Sequence, residues 1–130
     1  MKKLFPLILA ALFIATLVQA GGDRERTPKV PLLEPLNDAV VDLSGKESLL
    51  FRWKPSPRPG GGRIAYKFDL YKEFGYEAVF GEELEHDVYS IEVPVDKFEN
   101  GALYSWQVKQ RDARTRFWSM DHRWSFKVKK

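Results

Sequence analysis

The sequence predicts an all-β fold, a seven-stranded antiparallel β-sandwich that follows a cleaved N-terminal signal peptide. In short runs, apolar residues alternate with polar ones, as in strands with one buried face. Turn residues separate these runs at roughly ten-residue spacing, which is typical of sandwiches. No segment has a convincing helical period, so helices are expected to contribute almost nothing.

Residues 1–20 have the pattern of a secretory signal peptide. Two lysines precede an apolar run from Leu4 to Val18, and small residues end the segment at Ala20, so cleavage is predicted before Gly21. The run of about 15 residues is shorter than the roughly 20 that a spanning helix needs. We therefore expect export to the periplasm or the medium without stable membrane insertion. A retained anchor is the alternative.

Charge and cysteine content exclude several classes of function. The formal charge of +3 falls by two when Lys2 and Lys3 leave with the signal peptide, so binding to nucleic acid is not predicted. The charges are also segregated: residues 73–99 hold nine acidic residues and one basic residue, whereas residues 109–130 hold eight basic and two acidic residues. Without cysteine, the chain has no disulfide framework, no thiolate metal site and no cysteine nucleophile.

The mature chain is predicted to consist of a flexible lead-in, residues 21–29, and one sandwich domain, residues 30–130. Three prolines between Pro28 and Asp38 favour an edge strand with a kink, because proline removes ladder donors. A second short edge piece is expected at residues 39–43. The Pro- and Gly-rich stretch after Trp53 indicates a loop. Its glycines lack the following Lys-Ser or Lys-Thr of a phosphate-binding loop.

The remaining strands follow in order, and each alternates apolar with polar residues. The acidic residues 82–87 are expected to form a loop between the third and fourth of them. In the strand near the centre of this pattern, Tyr104, Trp106 and Val108 are predicted to be buried and Ser105 and Gln107 to be exposed. The predicted strands are residues 48–53, 64–74, 78–80, 89–93, 104–109 and 124–128.

The ordered set of these motifs resembles a fibronectin type III domain, a member of the immunoglobulin-like class, in the variants found in exported bacterial proteins. Tyr104 and Trp106, followed by Trp124, are similar to the last two strands of that family, and Trp53 lies where its second strand has a tryptophan. The resemblance covers about residues 30–128. It implies a seven-stranded fibronectin type III-like sandwich with adhesive or spacer roles.

The resemblance also implies roles for individual side chains. The tyrosine matching Tyr104 forms a corner in which its buried ring is held by a hydroxyl contact to the upstream backbone, with Phe98 packed beside it. The tryptophan matching Trp53 lies in the core. Gln110 departs from the family, which has small or apolar residues there, so this strand end is expected to splay or to pair differently.

The sequence offers little catalytic chemistry. Only His86 and His122 supply an imidazole. His86 lies among Glu83, Glu85 and Asp87, but strand-like alternation would scatter these side chains, and the spacing lacks the repeated aspartates of a calcium loop. We therefore expect no catalytic residue, no metal, no cofactor and no enzymatic activity.

Two groups of residues are candidates for binding, because arginine and large aromatic residues are enriched in interface hot spots. One is the loop after the Trp106 strand, and the other is an aromatic segment beside the acidic stretch and Phe80. The alternative is that Trp118 packs at the end of the sandwich with solvated arginines, and that the aromatic segment packs over the sheet edge. The candidates are Arg111, Arg114, Arg116 and Trp118 in the loop, and Phe74 and Tyr76 in the segment.

The sequence thus predicts an exported, non-enzymatic interaction module. It would recognise a protein or a cell-envelope component through loops at the sandwich end or through a sheet edge. The alternative from another class is a carbohydrate-binding module that stacks sugars on Trp118, Tyr76 or Tyr71.

Overall fold

A computed structural model of the chain describes residues 29–56, 64–85, 87–112 and 118–130. The predicted signal peptide, residues 21–28 of the lead-in, His86 and most of two loops (57–63 and 113–117) lie outside the described residues. Within those ranges the only helical element is the single 3-10 turn Val95–Lys97. No helix there has the length and apolar character needed to cross a membrane.

Eight strands form two sheets. The first sheet has three strands in the order β1-β3-β6, and the second has five in the order β2-β8-β7-β4-β5. The strands are β1 (Leu32–Glu34), β2 (Ala39–Asp42), β3 (Ser48–Trp53), β4 (Ile64–Lys72), β5 (Ala78–Leu84), β6 (Ser90–Pro94), β7 (Leu103–Asp112) and β8 (Trp124–Lys129).

The strand count and the pairing both differ from the prediction of seven antiparallel strands. The described residues hold eight strands, because the edge piece predicted at residues 39–43 forms a strand of its own, β2, in the other sheet from β1. β1 pairs with β3, whereas β2 pairs with β8, and this second pairing is parallel. Between them, the Glu34–Pro35 peptide bond is cis. Beyond it the Asp38 amide donates to the carbonyl of Ser125 at 2.6 Å, which places β2 against β8.

Aromatic side chains fill the space between the sheets, as in a β-sandwich. Phe51 on β3 of the first sheet packs edge-on against Phe68 and Trp106 of the second, with ring centroids 4.9 and 5.0 Å apart. Trp53 and Trp106 are each almost completely buried. Alternation of large apolar residues along β3, β4 and β7 therefore produces one shared core.

The predicted contact of Tyr104 is confirmed. Its ring is 1 % exposed, and its hydroxyl accepts a hydrogen bond of 2.8 Å from the Glu99 amide. Phe98 packs edge-on against the same ring at 5.1 Å. The segment that leads into β7 is thus attached to β7 itself through Phe98 and Glu99.

The outward-facing residues of β7 were predicted wrongly. Ser105 and Gln107 lie on the face opposite Trp106, yet they are 0 % and 3 % exposed. Their side chains are hydrogen-bonded on this face, Ser105 to the Glu73 carbonyl and Gln107 to the Tyr71 hydroxyl, and Arg123 lies over the Tyr71 ring. Asp69 and Tyr71 on the neighbouring strand β4 share this outer face and are also buried. The outer face of the larger sheet is therefore not a simple solvated surface.

β5 is longer than predicted. Glu82 and Glu83, expected in an acidic loop, belong to the strand and pair with Phe68 and Lys67 of β4. The side chains of β5 do not alternate between buried and exposed, because most of them are exposed. Pairing with the long strand β4, not local sequence preference, determines where β5 ends.

Candidate functional site

Phe74 and Tyr76 lie in the turn that joins β4 to β5, and both project into solvent. Phe74 is 57 % exposed and Tyr76 is 98 % exposed. Val79, at the start of β5, adds a third exposed apolar side chain. The alternative that this segment packs over the sheet edge therefore does not hold for Phe74 and Tyr76.

Backbone contacts to β7 hold this turn, which we call the aromatic turn (residues 73–77). The Glu73 amide donates to the carbonyl of Leu103 at 2.7 Å, and the Ser105 hydroxyl donates to the carbonyl of Glu73 at 2.6 Å. Glu73 has φ of 55°, a left-handed conformation that non-glycine residues rarely adopt. Contacts on both sides of its peptide unit keep it in that conformation.

Arg123 adds a side-chain support to the aromatic turn. Its guanidinium carbon lies 3.6 Å from the centroid of the Tyr71 ring, and its Nη1 donates to the carbonyl of Gly75 at 2.9 Å. The Tyr71 hydroxyl in turn accepts a hydrogen bond of 3.1 Å from Nε2 of Gln107. Burial and the nearby charge of Asp69 raise the pKa of Tyr71, and the charge of Arg123 opposes that rise.

Arg111 and Trp118 form the second candidate group. The Arg111 guanidinium lies 4.6 Å from the centre of the Trp118 ring, and both side chains are half-buried. This agrees with Trp118 packing at the end of the sandwich. Arg114 and Arg116 lie outside the described residues, so their predicted role stays a prediction.

The structure does not bring the two candidate groups together. Arg111 pairs with Ala65 near the beginning of β4, whereas Tyr71, beside the aromatic turn, pairs with Ser105. Six residues of strand separate Ala65 from Tyr71, which corresponds to roughly 20 Å. The aromatic turn and the Arg111–Trp118 pair are two separate surfaces.

Gln110 connects the loops beside Trp118. Its side-chain amide is completely buried; Oε1 accepts from the Ser56 amide at 2.9 Å and Nε2 donates to the Ser56 carbonyl at 3.2 Å. Its backbone amide donates to the Ser119 hydroxyl at 2.9 Å. The expectation that this strand end would splay or pair differently is wrong: β7 pairs regularly with β4 from Gln110 to Asp112, and the amide side chain of Gln110 is accommodated by its hydrogen bonds to Ser56.

Acidic side chains follow the aromatic turn along β5. Glu77, Glu82 and Glu83 are exposed, and they form no ion pair within the described residues. Glu82 and Glu83 pair with Phe68 and Lys67 of β4, further along the strand. At the turn itself, Arg123 contributes a positive charge, and Lys72 is bound to Glu99 at 2.8 Å.

The described residues were also compared with the ligand sets that metal ions need. In the part of the chain that the structure describes, no cluster of three or more histidine, aspartate and glutamate side chains could hold a metal ion. No known protein family matches the chain, and no curated protein matches it.

The sequence reasoning did not single out Arg123. Its neighbour His122 was considered only as one of two imidazoles, and Arg123 itself lies directly before β8. The available signal was Tyr71, an aromatic residue on the polar face of β4. An aromatic ring on the face of a strand that is expected to be solvated is buried only if another side chain packs on it, and Arg123 does so here.

Proposed function

We propose that this protein is an exported, non-enzymatic interaction module that recognises a protein or cell-envelope partner through the aromatic turn and the adjoining sheet edge. The observation that carries the proposal is the exposure of Tyr76 (98 %) and Phe74 (57 %) on one short turn. Large aromatic residues dominate protein interfaces, and contiguous exposed apolar surface marks interaction sites.

Rigid presentation of the two rings supports the proposal. Glu73 and Gly75 are bound through their carbonyls to Ser105 and Arg123. A surface whose backbone is already fixed loses less conformational entropy when a partner binds. The aromatic turn therefore has the property expected of a preorganised contact.

The fold assignment supports the same reading. The strand orders β1-β3-β6 and β2-β8-β7-β4-β5, together with the contact of the Tyr104 hydroxyl with the Glu99 amide, agree with a fibronectin type III-like, immunoglobulin-like sandwich. In such sandwiches, loops and strand edges carry recognition. The apolar run that precedes Gly21 supports export to the periplasm or the medium.

A carbohydrate-binding module is the second candidate, and the exposed ring of Tyr76 favours it. The other two rings that could stack sugars each have a face covered: Arg123 lies over Tyr71 and Arg111 lies over Trp118. Sugar stacking would thus depend on Tyr76 and Phe74, the same residues as the first candidate.

Quantitative affinity capture from envelope extracts of the producing cell tests the proposal. The bait proteins are the mature chain and its variant Phe74→Ser with Tyr76→Ser. We expect the wild-type chain to enrich a protein or envelope component at least about tenfold over the double variant, since hot-spot truncations cost that much or more.

Leu36→Ser with Val40→Ser is the matched control. Leu36 and Val40 are also exposed, at 64 % and 68 %. Val40 lies on β2 and Leu36 just before it, at the opposite edge of the larger sheet from β5. This control must retain the enriched component. Equal capture by all three proteins contradicts the proposal, and loss of a purified glycan ligand with no loss of protein partners selects the carbohydrate-binding alternative.

A further inference from the structure

We propose that the free edge of β5 binds an extended, basic peptide segment of the partner as an additional strand of the larger sheet. This inference rests on the proposed function and specifies how the partner is held. β5 pairs with β4 on one side only, and residues 78–84 make no other backbone hydrogen bond within the described chain. Its outer row of amides and carbonyls is available for pairing.

Among the four strands that end a sheet, β5 is the most suitable for strand addition. It has seven residues, whereas β1, β2 and β6 have three, four and five. β6 also ends in Pro94, which lacks a backbone donor. β5 contains neither lysine nor proline, the residues that commonly protect an edge from pairing.

The charges of β5 determine which residue types the added strand should carry. Glu82 and Glu83 lie within β5, which has no basic residue of its own. Lys67 of β4 lies across from Glu83 on the paired side, so the outer side of β5 is where a basic strand would meet these carboxylates. A second copy of β5 would bring like charges into one ladder, which is destabilising. A strand that carries lysine or arginine replaces this repulsion with attraction and with faster association.

Apolar side chains at the same edge determine which positions of the added strand should be apolar. Phe80 and Leu84 are only partly buried against the core, and the Phe80 ring packs edge-on against Phe68 at 6.1 Å. A neighbouring strand places alternate side chains on the same face. Glu82 shares the face of Phe80 and Leu84, and Glu83 lies on the other face. One face of the partner segment would therefore place apolar residues beside Phe80 and Leu84, while lysine or arginine on its other face would lie beside Glu83.

The aromatic turn adjoins one end of this edge. Tyr76 is two residues before the first residue of β5, and Val79 is exposed at its start. A segment that lies along β5 reaches Tyr76 and Phe74 without a change of direction. The inferred edge site and the aromatic surface thus form one continuous binding surface.

The test uses the mature wild-type chain and a fluorescent peptide of alternating valine and lysine, long enough to span β5. Two further peptides have N-methyl groups on every lysine amide or on every valine amide. In a strand, alternate amides face opposite edges. We expect saturable binding by fluorescence anisotropy, a loss of at least about tenfold with one methylation pattern, and little change with the other.

Hydrogen exchange and charge reversal locate the peptide. Its binding is expected to slow exchange of the amides of residues 78–84. Glu82→Lys with Glu83→Lys is expected to weaken binding at least about tenfold. The control Glu47→Lys with Asp96→Lys changes the net charge equally at two exposed positions outside β5 and is expected to weaken it less than about threefold.

Two outcomes overturn the inference. Equal binding of both methylated peptides shows attraction by charge alone, and unchanged exchange at residues 78–84 shows that the peptide lies elsewhere. If partner capture still depends on Phe74 and Tyr76, then only the strand-addition inference fails. If capture does not depend on them but the peptide protects β5, the proposed role of the aromatic turn fails separately.

Discussion

The guanidinium group of Arg123 lies on the ring of Tyr71, 3.6 Å from its centroid, and also donates to the carbonyl of Gly75. One side chain thereby joins the approach to β8, the outer face of β4 and the aromatic turn. Because the turn carries Phe74 and Tyr76, Arg123 is expected to control how firmly these rings are presented without touching a partner itself.

Replacement of Arg123 by methionine tests this support. Arg123→Met removes a cation–π contact and a charge-assisted hydrogen bond, so the free energy of unfolding should fall by about 1–3 kcal/mol. Hydrogen exchange at residues 73–77 should accelerate more than in the core. The control is Arg52→Met, which removes only an exposed ion pair with Glu34 at 3.2 Å and should cost less than about 1 kcal/mol. Unchanged exchange at the turn contradicts the supporting role.

Removal of the Tyr104 hydroxyl tests the connection into β7. In Tyr104→Phe the Glu99 amide loses its acceptor at 2.8 Å, and the free energy of unfolding should fall by about 1–3 kcal/mol. Urea denaturation measures the change. Tyr76→Phe removes the same atom from a fully solvated ring and should leave stability unaltered, so equal effects of the two substitutions would refute the assignment.

Gln110→Leu tests the amide that bridges two loops. Leucine is apolar and of similar size, but it removes both side-chain hydrogen bonds to the Ser56 backbone. We expect a loss of about 2–4 kcal/mol, because buried polar groups lose partners. Lys109→Leu, at the adjacent half-buried position, is the control and should cost less than about 1 kcal/mol. A Gln110→Leu protein as stable as the wild type is incompatible with this role.

His122 should make stability depend on pH. Burial, aided by the charge of Lys29, lowers its pKa from the ordinary value of 6.5, while Asp121 opposes the shift. The unfolded chain therefore takes up this proton first, and folding loses free energy as pH falls below 6.5, until the folded protein is protonated too. The difference in unfolding free energy between wild type and His122→Gln, measured from pH 7.5 to about 5, should decrease on acidification. A difference that is constant over this range contradicts the shift.

Strand positions with large alternating side chains were predictable from sequence. β3 agrees with the predicted residues 48–53, and β4 begins at the predicted Ile64, because each buries large residues on one face. β5 was underestimated because Glu82 and Glu83 have low strand preference and are ordered by pairing with β4. The placement of β1 and β2 in different sheets was also not evident, because it depends on contacts of Asp38 with distant Ser125.

The candidate surfaces were predictable in residue type but not in arrangement. Phe74 and Tyr76 were identified from composition, and their exposure is seen in the structure. The buried outer face of β7 was missed, since a strand pattern cannot show that Arg123 returns across it to Tyr71. Such contacts join residues about fifty positions apart, and local periodicity carries no information about them.

The bridge formed by Gln110 has a consequence for engineering. Ser56 and Ser119 are both hydrogen-bonded to this one residue. The chain is therefore anchored at Ser56, just before one loop, and at Ser119, shortly after the other, whatever residues the loops contain. Loop insertions are tolerated when their end points stay fixed. Foreign recognition sequences could therefore be grafted after Ser56 or before Trp118, with Gln110 retained as the common anchor of both grafts.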